Sequence, residues 1–333
     1  MTFFRVFALG WTLLGFAAGA TAREALVMQL DLPVKNVQFA GLLVAEREGL
    51  YQAAGLDVTI RAQDAETDYD KIAAVVAASD HMIGSIESGL FLEGRARGLK
   101  IVALGAMFQQ TPLALLSFSS AGIRTPADLA GKTVMVHGDG QEALDAVLLR
   151  AGLNRSQLTV VVGDYGTAPL LEHKCDANQG YLVDELVQLQ AEGRDIVALP
   201  LGANGYAAYS QVYFVSEATL ARHRAALVNF IAASDRGWRL AVADIPGTAK
   251  FVVDRHAPGL GLDYQTRSLT AIGPLLTCES PQLGVTTPET WLRNAGAFLA
   301  SHEHAKLGEM RRWVDFSLAV EAAGMAGEPP ILP

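Results

Sequence analysis

The stretch from Leu26 to Ile60 constrains the fold of this chain more than any other. It reads LVMQLDLPVKNVQFAGLLVAEREGLYQAAGLDVTI. An apolar run ending in an acid is followed by a polar turn, a helical pattern closed by Gly55 and a β-branched run. This order predicts a strand, a loop, a helix and a second strand, as in an open α/β sheet. Ligands in such sheets bind beyond the carboxyl ends of the strands, close to helix N-termini, so the loop 31–39 is the first candidate ligand contact.

Residues 1–22 have the pattern of a secretory signal peptide. Arg5 supplies a positive charge, residues 6–18 are apolar, and Ala20-Thr21-Ala22 forms a small-residue cleavage motif. The apolar run is shorter than the roughly 20 residues that a membrane-spanning helix needs, so a signal peptide is favoured over a membrane anchor. We therefore expect an exported protein in the periplasm, cleaved near Ala22.

Composition restricts the class of protein and of partner. The chain has 333 residues, of which 50% are apolar, enough for one large α/β domain or for two lobes. A formal net charge of −9 argues against a nucleic-acid partner, which would require a basic face. An oxidising compartment permits a disulfide between Cys175 and Cys278. The predicted layout places them in different lobes, where a bridge would fix the hinge, so two free thiols are favoured.

The remaining patterns predict two α/β lobes joined by two crossovers. HMIGSI, KIVALGAMF and LALLSF are interpreted as strands of the first lobe, followed by a crossover near Ser117. TVMVHG, LTVVVG and DIVALPL are interpreted as strands of the second lobe, before a return near Tyr209. QVYFVS and a helix over 218–242 then belong to the first lobe. The predicted units are a signal peptide over 1–22, a first lobe over 23–116 and 213–333, and a second lobe over 117–212.

Three segments resemble the periplasmic solute-binding proteins of ABC importers. They are AGLLVAEREGLYQAAGLDVTI, IRTPADLAGKTV and FIAASDRGWRLAVADIPGTAKFVV. The resemblance is closest to the branch that binds pyrimidine precursors of thiamine, and the wider family includes sulfonate binders. It implies a type II fold of two lobes, each a sheet flanked by helices, with a small-molecule ligand held between them. It also implies a partner, an ABC permease at the inner membrane, and no cofactor.

The ligand-facing motifs match the family only in part. Leu32 stands where the family has a tryptophan, and Phe39 where it has a histidine. The family motif G-Y-x-x-N-E-P is matched by GYLVDEL, which keeps Tyr181 and Glu185 and replaces the asparagine by Asp184. The resemblance implies that Tyr181 and Glu185 contact the ligand.

The chemistry of Glu185 fits a nitrogen heterocycle. A carboxylate facing a cleft can accept two hydrogen bonds from the N–H edge of a protonated aminopyrimidine. Tyr181 precedes Glu185 by one helical turn, so both could project from one face. An exposed helical acid beside a half-buried tyrosine is the alternative. The turn Gly138-Asp139-Gly140 precedes a helix and could receive a polar ligand group, although a plain tight turn also explains it.

The other candidates follow predicted strands, lie on the first loop or, in the case of Tyr206, lie at the return crossover. Phe39 could stack on a flat ring, or could be a core contact. The predicted ligand-binding residues are Asp31, Asn36, Gln38, Phe39, Ser85, Glu87, Gln109, Asp139, Gly140, Tyr181, Glu185 and Tyr206.

We therefore expect the substrate-binding component of an ABC importer that captures a small polar heteroaromatic solute, such as a thiamine pyrimidine precursor. The sequence carries no nucleophile elbow, zinc-protease motif or phosphate loop, so we predict neither catalysis nor a metal. An anionic solute such as a sulfonate is the alternative ligand, but the predicted cleft is acidic. A pyrimidine-synthase-like enzyme and a sensor without a permease are alternative classes. The export signal and the absence of the histidine at position 39 argue against the enzyme.

Overall fold

The computed structural model describes residues 22–64, 71–163, 166–302 and 304–326. Residues 1–21 of the predicted signal peptide lie outside these ranges. The strands are β1 (Glu24–Gln29), β2 (Leu56–Arg61), β3 (Met82–Ile86), β4 (Ile101–Phe108), β5 (Leu113–Phe118), β6 (Thr133–Val136), β7 (Thr159–Val162), β8 (Ala177–Tyr181), β9 (Ile196–Pro200) and β10 (Ser210–Ser216).

Helices flank both sheets. They are α1 (Ala40–Arg47), α2 (Leu50–Ala53), α3 (Ile72–Ala77), α4 (Ser88–Ala96), α5 (Gln141–Arg150), α6 (Ala168–Leu171), α7 (Glu185–Ala191), α8 (Glu217–Ala243), α9 (Ile245–Arg255), α10 (Leu262–Ile272), α11 (Pro288–Ser301) and α12 (Phe316–Ala326). The helix predicted over 218–242 is therefore confirmed as α8, within one residue at each end.

The first sheet has the strand order β2-β1-β3-β10-β4. β1 is parallel to β2 and β3, whereas β10 is antiparallel to β3 and β4. β2 is an edge strand, and its residues alternate between buried and exposed, as the sequence LDVTIR predicts. β4 lies at the other edge but is buried throughout, because bridges to Gly284 and Val314 cover its outer side.

The second sheet has the order β7-β6-β8-β5-β9, with β6 parallel to β7 and β8, and β5 antiparallel to β8 and β9. β5 is the segment LALLSF, which was predicted to lie in the first lobe. The first crossover therefore lies at 109–112, before the predicted boundary at 117. The whole of β10 lies in the first sheet, so the return crossover spans 201–209. An apolar run predicts burial but not the identity of its partner strands, which explains the displaced boundary.

Helices α1 and α8 approach closely at two glycines. A Cβ atom at Gly237 would lie 2.1 Å from the backbone oxygen of Gly41 and 2.8 Å from the Cβ of Ala45. A Cβ atom at Gly41 would lie 2.2 Å from Cγ of Trp238. The two glycines therefore allow the backbones of α1 and α8 to come into contact.

The predicted architecture of two α/β lobes joined by two crossovers is confirmed. Cys175 lies in the second lobe and Cys278 in the first, and both are free thiols. Within the described ranges, no helix combines the length and the apolar character needed to cross a membrane.

Candidate functional site

A cavity of about 960 Å³ lies between the two lobes, and we call it the inter-lobe cleft. The first lobe contributes the beginning of α4 and the end of α11, and the second lobe contributes the beginning of α5. The lining residues with a charge or a ring are Glu87, Glu93, Arg97, Glu142, Asp145, Arg155, Tyr181, Tyr206, Phe298 and His302. The cleft lies beyond the carboxyl ends of the parallel strands β3 and β6, where open α/β sheets bind ligands. Its volume falls within the range of roughly 300–1,000 Å³ that is usual for ligand pockets.

A buried polar cluster occupies the same edge of the first sheet. Gln211 donates a hydrogen bond to Asp31 and accepts one from the hydroxyl of Ser85. Burial raises the pKa of Asp31 to about 7, although its hydrogen bonds act in the opposite direction. Gln211 has a φ of 55°, in the left-handed region that residues other than glycine rarely adopt. Beside this cluster, Glu87 accepts a hydrogen bond from Ser210 and lines the cleft.

Glu142 lies on the opposite wall, in the first turn of α5. Its side chain is only 8% exposed, and the Tyr206 hydroxyl donates a hydrogen bond to it. Burial, together with the nearby carboxyl groups of Asp145 and Glu93, raises the pKa of Glu142 to about 8, although the hydrogen bond from Tyr206 acts in the opposite direction. Its Oε1 atom makes no hydrogen bond within the described part of the chain. Glu142 was not predicted, because an acid in the first turn of a helix is usually an exposed residue that interacts with the helix dipole.

The turn before α5 is held by β8. The backbone N–H of His137 donates to Gln179 Oε1 at 2.8 Å. A Cβ atom at Gly140 would lie 1.7 Å from the same Oε1 atom, so a larger residue there would displace the Gln179 amide from its bond to His137. Gly138 lines the cleft, while the side chain of Asp139 lies outside the described residues. The predicted turn 138–140 is therefore adjacent to the cleft, and its closeness to β8 accounts for Gly140.

Both arginines that line the cleft are paired with carboxylates of the same wall. Arg155 binds Asp145 through two hydrogen bonds, from Nε to Oδ1 at 2.6 Å and from Nη2 to Oδ2 at 2.9 Å. Arg97 forms an ion pair with Glu93. The described lining thus has four carboxyl groups, two guanidinium groups and one histidine. This balance makes the cleft acidic, as the sequence predicts.

Tyr181 and Glu185 do not form the predicted pair on one helical face. Tyr181 ends β8 and lines the cleft, whereas Glu185 begins α7. The backbone N–H of Tyr181 donates to Glu185 Oε2 at 2.8 Å, so the carboxylate is directed back to the end of β8. Burial and the neighbouring Asp184 raise the pKa of Glu185 to about 6. Helical spacing does not apply to this pair, because one residue belongs to a strand.

Asp184 connects the two lobes through hydrogen bonds to the first lobe. It accepts a hydrogen bond from Gln38 Nε2 at 2.9 Å and another from the hydroxyl of Tyr264. Both donors belong to the first lobe, and we call these three residues the inter-lobe clasp. A second cavity of about 540 Å³ lies beside the clasp and is lined by Leu32 and Asn36. The predicted loop 31–39 therefore faces the clasp side and not the inter-lobe cleft.

Two predicted residues contribute to the interior of the first lobe. Phe39 is fully buried in the core, which is the alternative that the sequence left open. Gln109 donates to the backbone oxygen of Gln282 at 2.8 Å, and accepts from the backbone N–H groups of Glu279 and Ser280 at 2.8 and 2.7 Å. Among the predicted residues, Glu87, Tyr181 and Tyr206 line the inter-lobe cleft.

Comparison with known proteins identifies the relatives of this chain. The family model described as "NMT1/THI5 like" matches residues 36–248. The riboflavin-binding protein RibY of Chloroflexus aurantiacus is 29% identical over 297 residues, covering 83% of this chain and 82% of RibY. The 4-amino-5-hydroxymethyl-2-methylpyrimidine phosphate synthase of Legionella pneumophila is 22% identical over 212 residues, covering 61% of this chain and 65% of the synthase.

Solved structures agree on the fold. The periplasmic aliphatic sulphonate binding protein SsuA from Escherichia coli has a TM-score of 0.70 at 15% identity, covering 93% of this chain and 94% of that protein. The predicted two-lobed fold of periplasmic binding proteins is therefore confirmed.

Proposed function

Since the chain belongs to the NMT1/THI5-like family, we propose that it is the solute-binding component of an ABC importer in the periplasm. It captures a small, polar heteroaromatic solute in the inter-lobe cleft and delivers it to a permease at the inner membrane. Riboflavin and an aminopyrimidine, which the names of two relatives specify, are both flat nitrogen heterocycles. The chemistry required is binding and release, without a covalent step.

The observation that carries this proposal is the position and lining of the inter-lobe cleft. It lies between the lobes, and the tyrosines Tyr181 and Tyr206 line it together with polar groups. Tyrosine presents an apolar ring face and a hydroxyl, which suits a flat ring with polar edges. In ligand pockets, a small number of polar groups that point towards the ligand usually determine its orientation.

Riboflavin is the first candidate ligand and a thiamine pyrimidine precursor the second. A volume of about 960 Å³ is near the upper end of the usual range for ligand pockets and favours the larger ring system. The similarity to RibY extends over most of both chains. A sulfonate is disfavoured because the arginines of the cleft already bind Asp145 and Glu93.

The two crossovers provide the hinge for capture. Residues 109–112 and 201–209 connect the sheets, so rotation about them changes the separation of the lobes without disrupting either sheet. Bonds between Asp184 and the first lobe stabilise the closed arrangement. A ligand that contacts both walls of the cleft shifts the population towards the closed form.

The experiment is a titration of the protein from residue 23 onwards with riboflavin, a thiamine pyrimidine precursor and an alkanesulfonate. Flavin fluorescence and thermal unfolding report binding. At a ligand concentration 100 times the Kd, the free energy of unfolding should rise by about 2.7 kcal/mol. We expect a heteroaromatic compound to produce this increase. A response to the sulfonate alone would refute the proposed ligand class.

A further inference from the structure

We propose that Glu142 determines the specificity of the inter-lobe cleft. It accepts a hydrogen bond from a ring N–H or amino group of the ligand, and the cleft admits neutral or cationic heterocycles while it excludes their phosphate esters. This inference rests on the proposed function, because it concerns the ligand held in the same cleft.

Glu142 has one carboxyl oxygen that can accept a hydrogen bond from a ligand. The side chain is more than nine-tenths buried and lines the cleft. Oε1 makes no hydrogen bond within the described ranges. Buried polar atoms almost always have a partner, and an unsatisfied one destabilises the protein. A donor on the ligand therefore satisfies an atom that the described chain leaves without a hydrogen bond.

The first lobe comes close to the other carboxyl oxygen of Glu142 at Gly89. A Cβ atom at Gly89 would lie 3.3 Å from the Tyr206 hydroxyl oxygen and 3.7 Å from Glu142 Oε2. Gly89 begins the wall formed by α4, so the two lobes approach each other across this acceptor. A side chain at position 89 would occupy part of the space in front of Glu142.

The charges of the cleft explain the exclusion of phosphate. Arg155 is held by Asp145 in a two-bond arrangement, and Arg97 by Glu93. A phosphate entering the cleft would compete with these carboxylates for each guanidinium. It would also lie near the carboxylates of Asp145 and Glu93, and like charges in contact disfavour binding. Heterocycles that carry N–H donors and no phosphate neither compete for the guanidinium groups nor are repelled by the carboxylates.

The test compares riboflavin with flavin mononucleotide, its phosphate ester, by calorimetry at neutral pH. If neither binds, the comparison uses 4-amino-5-hydroxymethyl-2-methylpyrimidine and its phosphate. We expect the phosphate ester to bind at least about tenfold more weakly than the parent compound. Equal or tighter binding of the ester overturns the inference. Absence of binding by all four compounds overturns the proposed function, and this inference with it.

Variants separate the role of Glu142 from a general structural role. Glu142→Met removes the acceptor at similar length, and we expect it to weaken binding of the parent compound about tenfold. Glu142→Gln keeps an acceptor oxygen and should restore most of the affinity. The melting temperature of each variant without ligand provides the control for folding. Parent-compound affinity that is the same in Glu142→Met and in the unmodified protein refutes the assigned role.

Asp145→Asn offers an independent gain of function. The substitution weakens the hydrogen bonds between residue 145 and Arg155 and removes one negative charge. The ratio of the affinity for the phosphate ester to the affinity for the parent compound should therefore rise about tenfold. An unchanged preference in this variant contradicts the role of paired arginines in excluding phosphate.

Discussion

The contact between α1 and α8 predicts that the substitution Gly237→Ala destabilises the protein. In Gly237→Ala, the new Cβ atom would lie 2.1 Å from the backbone oxygen of Gly41 and 2.8 Å from the Cβ of Ala45. Neither atom is the end of a flexible side chain. The backbone of α1 must therefore move away from α8, and the core residues between these helices must move with it.

Two opposing effects decide the magnitude. Overpacking of a well-packed core usually destabilises a protein by about 1–3 kcal/mol, and occasionally by more. Alanine favours a helix over glycine by about 1 kcal/mol. A clash with backbone at this distance belongs at the upper end of the first range, so the net loss should be about 2 kcal/mol. At about 2–4 °C per kcal/mol, the melting temperature should fall by about 4–8 °C.

Thermal unfolding followed by circular dichroism measures this change, and Gly296→Ala is the matched control. Gly296 lies inside α11, is exposed, and has no atom within 4 Å of its Cβ position. The same substitution there should stabilise the protein by about 0.5–1 kcal/mol, because only the helix propensity changes. A Gly237→Ala variant that melts at or above the temperature of the unmodified protein would refute the described contact of the two helices.

Two further predictions concern Asp31 and the inter-lobe clasp. Burial raises the pKa of Asp31 to about 7, so the stability due to its protonated form is complete below about pH 4 and is lost as the pH rises towards 7. When the pH rises from 5 to 8, the melting temperature of the Asp31→Asn variant should therefore fall less than that of the unmodified protein. Equal decreases in the two proteins would contradict this prediction. Asp184→Ala removes two hydrogen bonds between the lobes and should speed ligand dissociation about tenfold in stopped-flow fluorescence. Asp184→Asn keeps an acceptor and should have a smaller effect, whereas equal rates in all three proteins would exclude a role in closure.

The fold was largely predictable because its strands and helices have clear periodicity. The alternation in LDVTIR predicts an edge strand with one buried face, and α8 carries apolar residues at helical spacing. The order of the strands in the sheets is a long-range property that local patterns do not contain. β5 was therefore assigned to the wrong lobe. β8 was not recognised as a strand, since ANQGY is polar although its first four residues are buried.

The candidate site was predictable only in part, because burial decides the chemistry of an acid. Glu87, Tyr181 and Tyr206 line the inter-lobe cleft. Glu87 was a candidate because it follows a strand, Tyr206 because it lies at the return crossover, and Tyr181 because of the family motif. Glu142 and Glu185 both lie in the first turn of a helix in the structure. The structure turns Glu185 towards the backbone of β8 and leaves Glu142 in the cleft. No sequence pattern distinguishes these two outcomes.

The position of β10 between β3 and β4 determines the order in which the lobes can form as the chain emerges from its N-terminal end. The second sheet consists of one continuous segment, and all its strands exist once Pro200 has been made. The first sheet contains strands from both sides of that segment, so β4 has no neighbouring strand of this sheet until Ser216 has emerged. A growing chain can therefore complete the second lobe while the first still exposes the unpaired edges of β3 and β4. The lobe that begins first in the sequence is the one that is completed last.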